Sequence, residues 1–424
     1  MIHRYQKKGL NFVLDVNSGA VHLLDDISYA VSGLLDENMG DTCPQSIIDA
    51  LPDYTADEIR EAYDELYELK KAGQLFAQDD YIDVSRYIPV NAPVKALCLH
   101  VAHDCNLRCK YCFASTGDFG QGRKIMPPEI AKKAIDFVIA RSGVRHNIEV
   151  DFFGGEPLMA WDTVTQTVDY ARSLEEKYNK KFRFTITTNG LLLDEDKRKY
   201  INENMDNCVL SLDGRREVND EFRKTVAGTG SYDTIVPKFK ALVDERDPNL
   251  DYYARGTFTS HNLDFAEDVL SIADAGFDRL SVEPVTADPG CGYDLTEDDL
   301  PKIEAEYDRL TDIMLERKKE GKPFTFFHFM VDLDQGPCVV KRLRGCGAGY
   351  EYVAVTPDGD IYPCHQFVGK DEFKQGSVLD QSFNMDIAQK FAGMNIYSRP
   401  KCQKCWAKFY CSGGCSAANY NMNH

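Results

Sequence analysis

The densest chemistry in the sequence lies in His103-Asp104-Cys105-Asn106-Leu107-Arg108-Cys109-Lys110-Tyr111-Cys112-Phe113. Three thiols spaced Cys-x3-Cys-x2-Cys on one loop can converge on a single metal centre. The count is informative, because structural zinc is normally closed by four ligands and an ordinary [4Fe–4S] cluster takes four cysteines. Three cysteines leave one iron open, and an open iron is where a small molecule binds. The competing reading is a zinc site completed by His100 or His103. A second group, Cys338, Cys346, Cys364, Cys402, Cys405, Cys411 and Cys415, sits near the C-terminus. Cys43, Cys98, Cys208 and Cys291 stand alone and read as small buried hydrophobes or idle thiols. Close-spaced cysteines in a reducing compartment mean metal or redox chemistry more often than disulfides.

The elements that must hold these thiols alternate in type. Strand patterns at Lys95–Val101, Ile148–Phe153, Phe182–Thr187, Cys208–Leu212, Tyr252–Phe258 and Arg279–Val282 are separated by helical runs near 128–141, 162–178, 195–204, 232–246 and 262–275. Six βα units predict an α/β fold, a partial (β/α)6 barrel over 90–285, with chemistry at the C-terminal ends of the strands. Residues 1–85 open with a hairpin, 11–16 and 20–24 around Asn17-Ser18-Gly19, followed by helices at 27–35, 46–50 and 56–72. That combination predicts a winged-helix-like domain. Residues 286–335 form a bridging region with a helix and the aromatic run Phe324–Phe329. Residues 336–424 are loop-rich, with a hairpin turn at Pro357-Asp358-Gly359, and their low apolar content makes metal the expected staple.

The 424 residues carry 49 Lys+Arg against 68 Asp+Glu, a net charge of −19, which argues against nucleic acid or an anionic membrane as partner. No apolar run approaches the roughly 18 residues of a membrane span. The segment after Met1 is alternating and charged, unlike a signal peptide. A cytoplasmic location is expected.

The cysteine loop, with Tyr111 before its last cysteine, resembles that of the radical S-adenosylmethionine (SAM) superfamily. The family's GGEP motif is matched by Gly154-Gly155-Glu156-Pro157 at the end of the second barrel strand. Thr187-Thr188-Asn189-Gly190 and Ser211-Leu212-Asp213-Gly214 end the third and fourth. The resemblance covers 95–285. It implies that Cys105, Cys109 and Cys112 hold a [4Fe–4S] cluster whose open iron chelates SAM, giving a 5′-deoxyadenosyl radical that abstracts a substrate hydrogen. It also implies cofactor contacts from Tyr111, Gly154, Gly155, Glu156 and Ser211. Arg223 and Arg255 are candidates for the SAM carboxylate, since a guanidinium fork suits that group; a structural ion pair is the alternative for each.

The C-terminal cysteines resemble the SPASM extension of this superfamily, against a plain zinc ribbon as the other reading. The resemblance implies two auxiliary [4Fe–4S] clusters, three in all: Cys346, Cys364 and Cys415 on the first, Cys402, Cys405 and Cys411 on the second. The family has one more cysteine after this set, whereas this chain stops nine residues after Cys415, so the domain is read as truncated, with His424 a weak substitute ligand. Cys338 or a substrate thiolate would complete the first auxiliary cluster, the open site being preferred.

SPASM proteins act mostly on peptides. In the sulfatase-maturing group, which makes formylglycine, an Asp follows the second cysteine of the first auxiliary set; here it is His365. The opening Asn11-Phe12-Val13-Leu14-Asp15-Val16-Asn17-Ser18-Gly19-Ala20-Val21-His22 resembles the maturases of SCIFF peptides instead, which join a Cys sulfur to the α-carbon of Thr. That resemblance implies a ribosomal precursor peptide whose leader docks on 1–85, and a flavodoxin or ferredoxin as electron donor. No protein acid or base is named. A DNA-binding redox sensor is disfavoured by the charge and by the lack of a basic helix in 1–85.

Overall fold

The computed structural model describes residues 1–86, 92–331 and 339–423. They form two compact units, one of Met1–Pro89, Val331–Cys346 and Ala392–Cys415, the other of Val90–Met330, Gly347–Phe391 and Ser416–His424. Residues after 336 therefore contribute to both.

In the first unit β1 (Ile2–Lys7), β2 (Leu10–Asp15) and β3 (Val21–Leu24) make an antiparallel sheet in that order. Lys8 and Gly9, at φ 52° and 74°, form the tight two-residue turn whose twist suits a hairpin. The sequence pattern gave only the hairpin of β2 and β3. The strand β1 was missed because Ile2-His3-Arg4-Tyr5-Gln6-Lys7 is half-exposed or exposed at every position and shows no apolar alternation. Helices follow at Asp26–Ser32, Gln45–Ala50 and Ala56–Lys71. The last opens on a capping box, in which Thr55 and Glu58 satisfy each other's backbone N–H groups. Val13, Val31, Ile59, Tyr63 and Leu66 form the core between sheet and helices. A second small core of Leu14, Val16, Leu343, Ile396 and Phe409 ties the C-terminal cysteine segment to β2. Lys408, almost fully buried, pairs with Asp79 at 2.8 Å.

The second unit is built on one twelve-stranded sheet. Its strands are β4 (Ala96–His103), β5 (Lys124–Ile125), β6 (Asn147–Gly154), β7 (Lys181–Thr188), β8 (Asn207–Ser211), β9 (Asp251–Phe258), β10 (Arg279–Pro284), β11 (Thr325–Phe326), β12 (Tyr352–Val355), β13 (Asp360–Tyr362), β14 (Gly376–Ser377) and β15 (Ser382–Phe383). From β11 through β10, β9, β8, β7 and β6 to β4 every neighbour is parallel. Helices such as Pro128–Arg141 and Trp161–Tyr178 form the crossovers, an arrangement that fits a partial barrel. All eight residues of β4 are buried, which explains its near-continuous apolar run.

The expected hairpin around Pro357-Asp358-Gly359 is present as β12 and β13. Its sequence gave no hint of what it joins. β12 pairs in parallel with β4, Tyr352 beside Ala96 through Val355 beside Leu99, and so extends the barrel sheet.

Candidate functional site

Strand β4 runs directly into the three-cysteine loop. That loop is pinned across the barrel mouth: Arg108 N–H donates to Lys224 O at 2.7 Å and Lys110 N–H to Phe222 O at 3.0 Å. The next strand end closes in from the other side. Gly155 N–H donates to Ala102 O at 2.7 Å, and Glu156 N–H to Asp104 O at 2.9 Å. These bonds require glycine. A Cβ at Gly155 would lie 2.1 Å from Asp104 O, and one at Gly154, whose φ is +121°, 2.3 Å from Ala102 O. Both would collide with backbone that cannot yield.

Cys105, Cys109 and Cys112 are half-buried free thiols lining one cavity of about 360 Å³ at the C-terminal ends of the strands. Leu107 N–H and Asn189 Nδ2 point at Cys105 Sγ, at 3.4 and 3.5 Å. Burial, helped by the neighbouring Glu156, pushes the Cys105 thiol up to about 12, and burial pushes Cys109 up to about 11. Such thiols stay protonated near neutrality unless a cation replaces the proton, which is how a metal centre captures them.

Among the described residues no three His, Cys, Asp or Glu side chains are close enough to bind a single ion. A cubane, by contrast, spreads its cysteines over separate irons. The zinc alternative also fails on its fourth ligand: His100 and His103 are fully buried, face each other at 3.1 Å and pack on Phe119. Free thiols, N–H donors aimed at sulfur and a glycine cradle thus suit a [4Fe–4S] centre held by three cysteines. When bound, it would supply the electron that cleaves SAM.

The other predicted residues are distributed around the same cavity. Gly154, Gly155, Glu156, Ser211, Arg223 and Arg255 all line it, as does Tyr111. Glu156 is buried and turned away from solvent. Its carboxylate accepts from Thr188 Oγ1 at 2.7 Å, Asn189 N–H at 2.8 Å and Leu158 N–H at 3.0 Å, which locks β6 to β7. Burial raises it to about 7 against those donors.

Arg223 is not a free fork. Its Nε stands 3.0 Å from Asp213 Oδ1, with Asp213 wholly buried, and Tyr111 donates to the other oxygen at 2.6 Å. Burial disfavours the guanidinium charge, but Asp213 more than restores it. Asp213 also accepts from Thr257 N–H at 3.0 Å and so ties three strand ends together. Arg255, exposed at the cavity, makes no ion pair among the described residues.

Two further groups stand at the rim: His365, read in the sequence only as the residue in place of an Asp, and Glu283, which the sequence did not single out. His365 packs on Phe153 and Phe113, its Nδ1 3.3 Å from Tyr352 Oη, and burial beside Arg255 drops it to about 4. Glu283 ends β10, where His328 Nε2 lies 2.8 Å from one oxygen and Ser281 donates to the other at 2.6 Å. Burial opposes its ionisation, but these partners and the charge of Arg255 pull it down to about 2. Glu283 belongs to no spacing motif, and the position of His365 after Cys364 does not announce the barrel rim; only the fold brings them in.

Of the second group, Cys402 and Cys405 are half-buried and Cys411 and Cys415 exposed, all in the first unit with exposed Cys346, whereas buried Cys364 belongs to the second. Short helices Pro400–Gln403 and Lys408–Cys411 carry Cys402 and Cys411, Cys405 lies between them, and left-handed Ser412 and Gly413 turn the chain toward Cys415. Among the described residues no disulfide joins two of the cysteines. Cys338 and His424 lie outside the described residues.

Comparison with known proteins matches residues 99–253 to the radical SAM superfamily and 346–406 to SPASM, an iron–sulfur cluster-binding domain. A cysteine-type anaerobic sulfatase-maturating enzyme of Clostridium novyi is 25% identical over 74% of this chain and 85% of its own. The radical SAM cyclopropyl synthase TigE of Paramaledivibacter caminithermalis is 24% identical over 78% and 70%. The structure of Streptococcus suis SuiB bound to precursor peptide SuiA superposes with a TM-score of 0.55 at 16% identity, covering 100% of this chain and 96% of that one. That likeness is one of fold.

Proposed function

The chain carries a radical SAM domain followed by a SPASM domain, and from that premise we propose that it forms thioether crosslinks in a ribosomal cysteine-rich peptide. In this reading Cys105, Cys109 and Cys112 would hold the cluster that binds SAM, which would supply a deoxyadenosyl radical able to take a hydrogen atom from an α-carbon of the peptide, Thr being the expected acceptor. A substrate Cys would give up its thiol proton as its sulfur bonds to that carbon, and the clusters would take up the one electron released. The chain would hold three [4Fe–4S] clusters and SAM, and draw electrons from a flavodoxin- or ferredoxin-type donor. The cavity contacts named above, including Ser211 and Arg223 toward SAM, belong to this proposal.

The carrying observation is the first unit, β1–β3 with three helices, which precedes in sequence a barrel whose mouth holds three free thiols. We read it as a winged-helix-like site where a leader peptide adds to a sheet edge. The similarity to SuiB, solved with its precursor peptide, runs the length of this chain and supports that reading.

The second reading is a sulfatase-maturing enzyme, favoured by the Clostridium novyi relative. It is weakened by His365, which stands where that group has Asp. Anaerobic reconstitution with SAM and dithionite tests both. Deoxyadenosine should form, and Cys105→Ala should abolish it. A short cysteine-rich precursor should lose two hydrogen masses in a product that survives reduction and alkylation. A hydrolysable aldehyde instead would select the second reading, and no deoxyadenosine from the wild type would end both.

A further inference from the structure

The negative charge of this chain is unevenly spread. No Asp or Glu occurs between Ala392 and Cys415, a stretch that carries Arg399, Lys401, Lys404 and Lys408, nor before Asp15 at the N-terminus, where Arg4, Lys7 and Lys8 lie. The first unit brings these two stretches together. The His3 ring of β1 stacks on Trp406 with centroids 4.2 Å apart and planes within 3°. Period-two alternation puts Tyr5 on the same face of β1. Tyr5 stacks on Phe12 at 5.1 Å, and Tyr410 is near enough to influence its hydroxyl.

Tyr5, Trp406 and Tyr410 are 38%, 46% and 41% exposed, high values for large aromatic rings. Lys408 is already neutralised by Asp79, and Arg399 is held by the Gly413 carbonyl. Lys401 and Lys404 remain exposed on either side of Cys402. The result is an aromatic face with a cationic rim on an otherwise acidic molecule, threaded through Cys402, Cys405 and Cys411.

We propose that this face docks a small acidic one-electron carrier protein, which exchanges its electron at the cysteines of the same segment. The proposal deepens the reading above and rests on its assignment of a cluster to Cys402, Cys405 and Cys411. The chemistry is one electron only: the carrier is oxidised by one as the cluster is reduced by one, and no bond or proton moves. Electron-transfer encounters are small and short-lived, and opposite charge steers them. An exposed aromatic patch supplies contact area, and cations at its edge supply orientation. Nucleic acid would need a far larger basic footprint than two exposed lysines. A leader peptide is better served by an unpaired strand edge than by side chains on the face of the sheet.

The test uses reconstituted full-length enzyme and flavodoxin as the acidic carrier. Binding of oxidised flavodoxin is read by calorimetry, and oxidation of its hydroquinone by stopped-flow absorbance. Wild type should bind with an affinity that falls steeply with salt. Lys401→Glu with Lys404→Glu should weaken binding roughly tenfold at low salt and converge with wild type at high salt. Tyr5→Ala, on a strand remote in sequence from the cysteines, should weaken both readouts several-fold. Iron content and dithionite-driven deoxyadenosine should not change in either variant.

Equal binding and equal oxidation rates in wild type and variants overturn the proposal. So does loss of self-association in the variants without loss of flavodoxin binding, which would make a second copy the occupant. Absence of deoxyadenosine in dithionite-reduced wild type would instead count against the enzymatic reading, because carrier binding is measured apart from it.

Discussion

At the barrel mouth, Cys105 follows a strand buried along its whole length and is flanked by a second strand end whose glycines touch the loop backbone. Cys402 and Cys411 sit instead on helices of four residues each, with Cys405 in the turn between them, and a handful of apolar contacts anchors the segment. The first set is positioned by backbone hydrogen bonds that exist without metal. The second has no such frame, and in the proposed reading a bound cluster would staple it, as metal does in small, core-poor segments generally. On that reading one protein carries a preorganised site and a stapled one, and the two should respond differently to perturbation.

The largest stability difference is expected from Asp213→Asn. It removes the counter-charge of Arg223, whose side chain is only 11% exposed. Breaking a buried pair on one side costs about 3–5 kcal/mol. Urea unfolding should show that loss in the barrel unit, with the N-terminal unit unchanged. A concerted shift of both units would mean that they are not energetically separate.

Acid and base should also divide the units. Burial, reinforced by Glu149, pushes Asp151 inside the barrel from 3.8 up to about 7. A raised carboxyl favours the folded state below its unfolded value and loses that contribution as pH climbs from about 4 to 7. Asp79 in the first unit goes the other way. Burial opposes its ionisation, but Lys408 and Tyr397 hold it below the ordinary range, so its contribution is present above pH 4 and lost on acidification. Hydrogen exchange followed across pH 4–7 should show barrel amides losing protection with rising pH, and Asp151→Asn should flatten that slope. An unchanged slope would place the titration elsewhere.

The smallest effect belongs to the capping box. Thr55→Ala should cost about 1 kcal/mol, confined to the first unit, with SAM binding unaltered. Thermal melting alongside SAM calorimetry checks both halves of that expectation.

Much of the barrel was legible in the sequence because its information is local. Period-two strands, helical runs and glycines at strand ends each declare themselves within a few residues, and the cysteine loop carries its ligand count in its spacing. What stayed hidden depends on distant partners. Nothing around Asp213 announces Arg223 and Tyr111, and nothing in Tyr352–Val355 announces β4. The strand β1 was invisible for a different reason: it is polar on both faces and held mainly by main-chain pairing to β2. Of the lone cysteines, which the sequence leaves as buried hydrophobes or idle thiols, Cys98 and Cys208 are buried, Cys43 is half-buried and Cys291 is exposed.

The pairing of β12 with β4 also bears on how the chain is made. Lys95 and Glu351, which flank that junction, form an ion pair although 256 positions separate them. As the chain leaves the ribosome, β4 has β6 on one side, but on the other only the two-residue β5, paired at Ala102 and His103, until residues near 355 emerge. For most of synthesis the strand feeding the cysteine loop is an open edge, the kind of surface on which chains aggregate. The barrel is thus finished last at the place where its chemistry begins, so a chain broken off before β12 would present that edge unprotected.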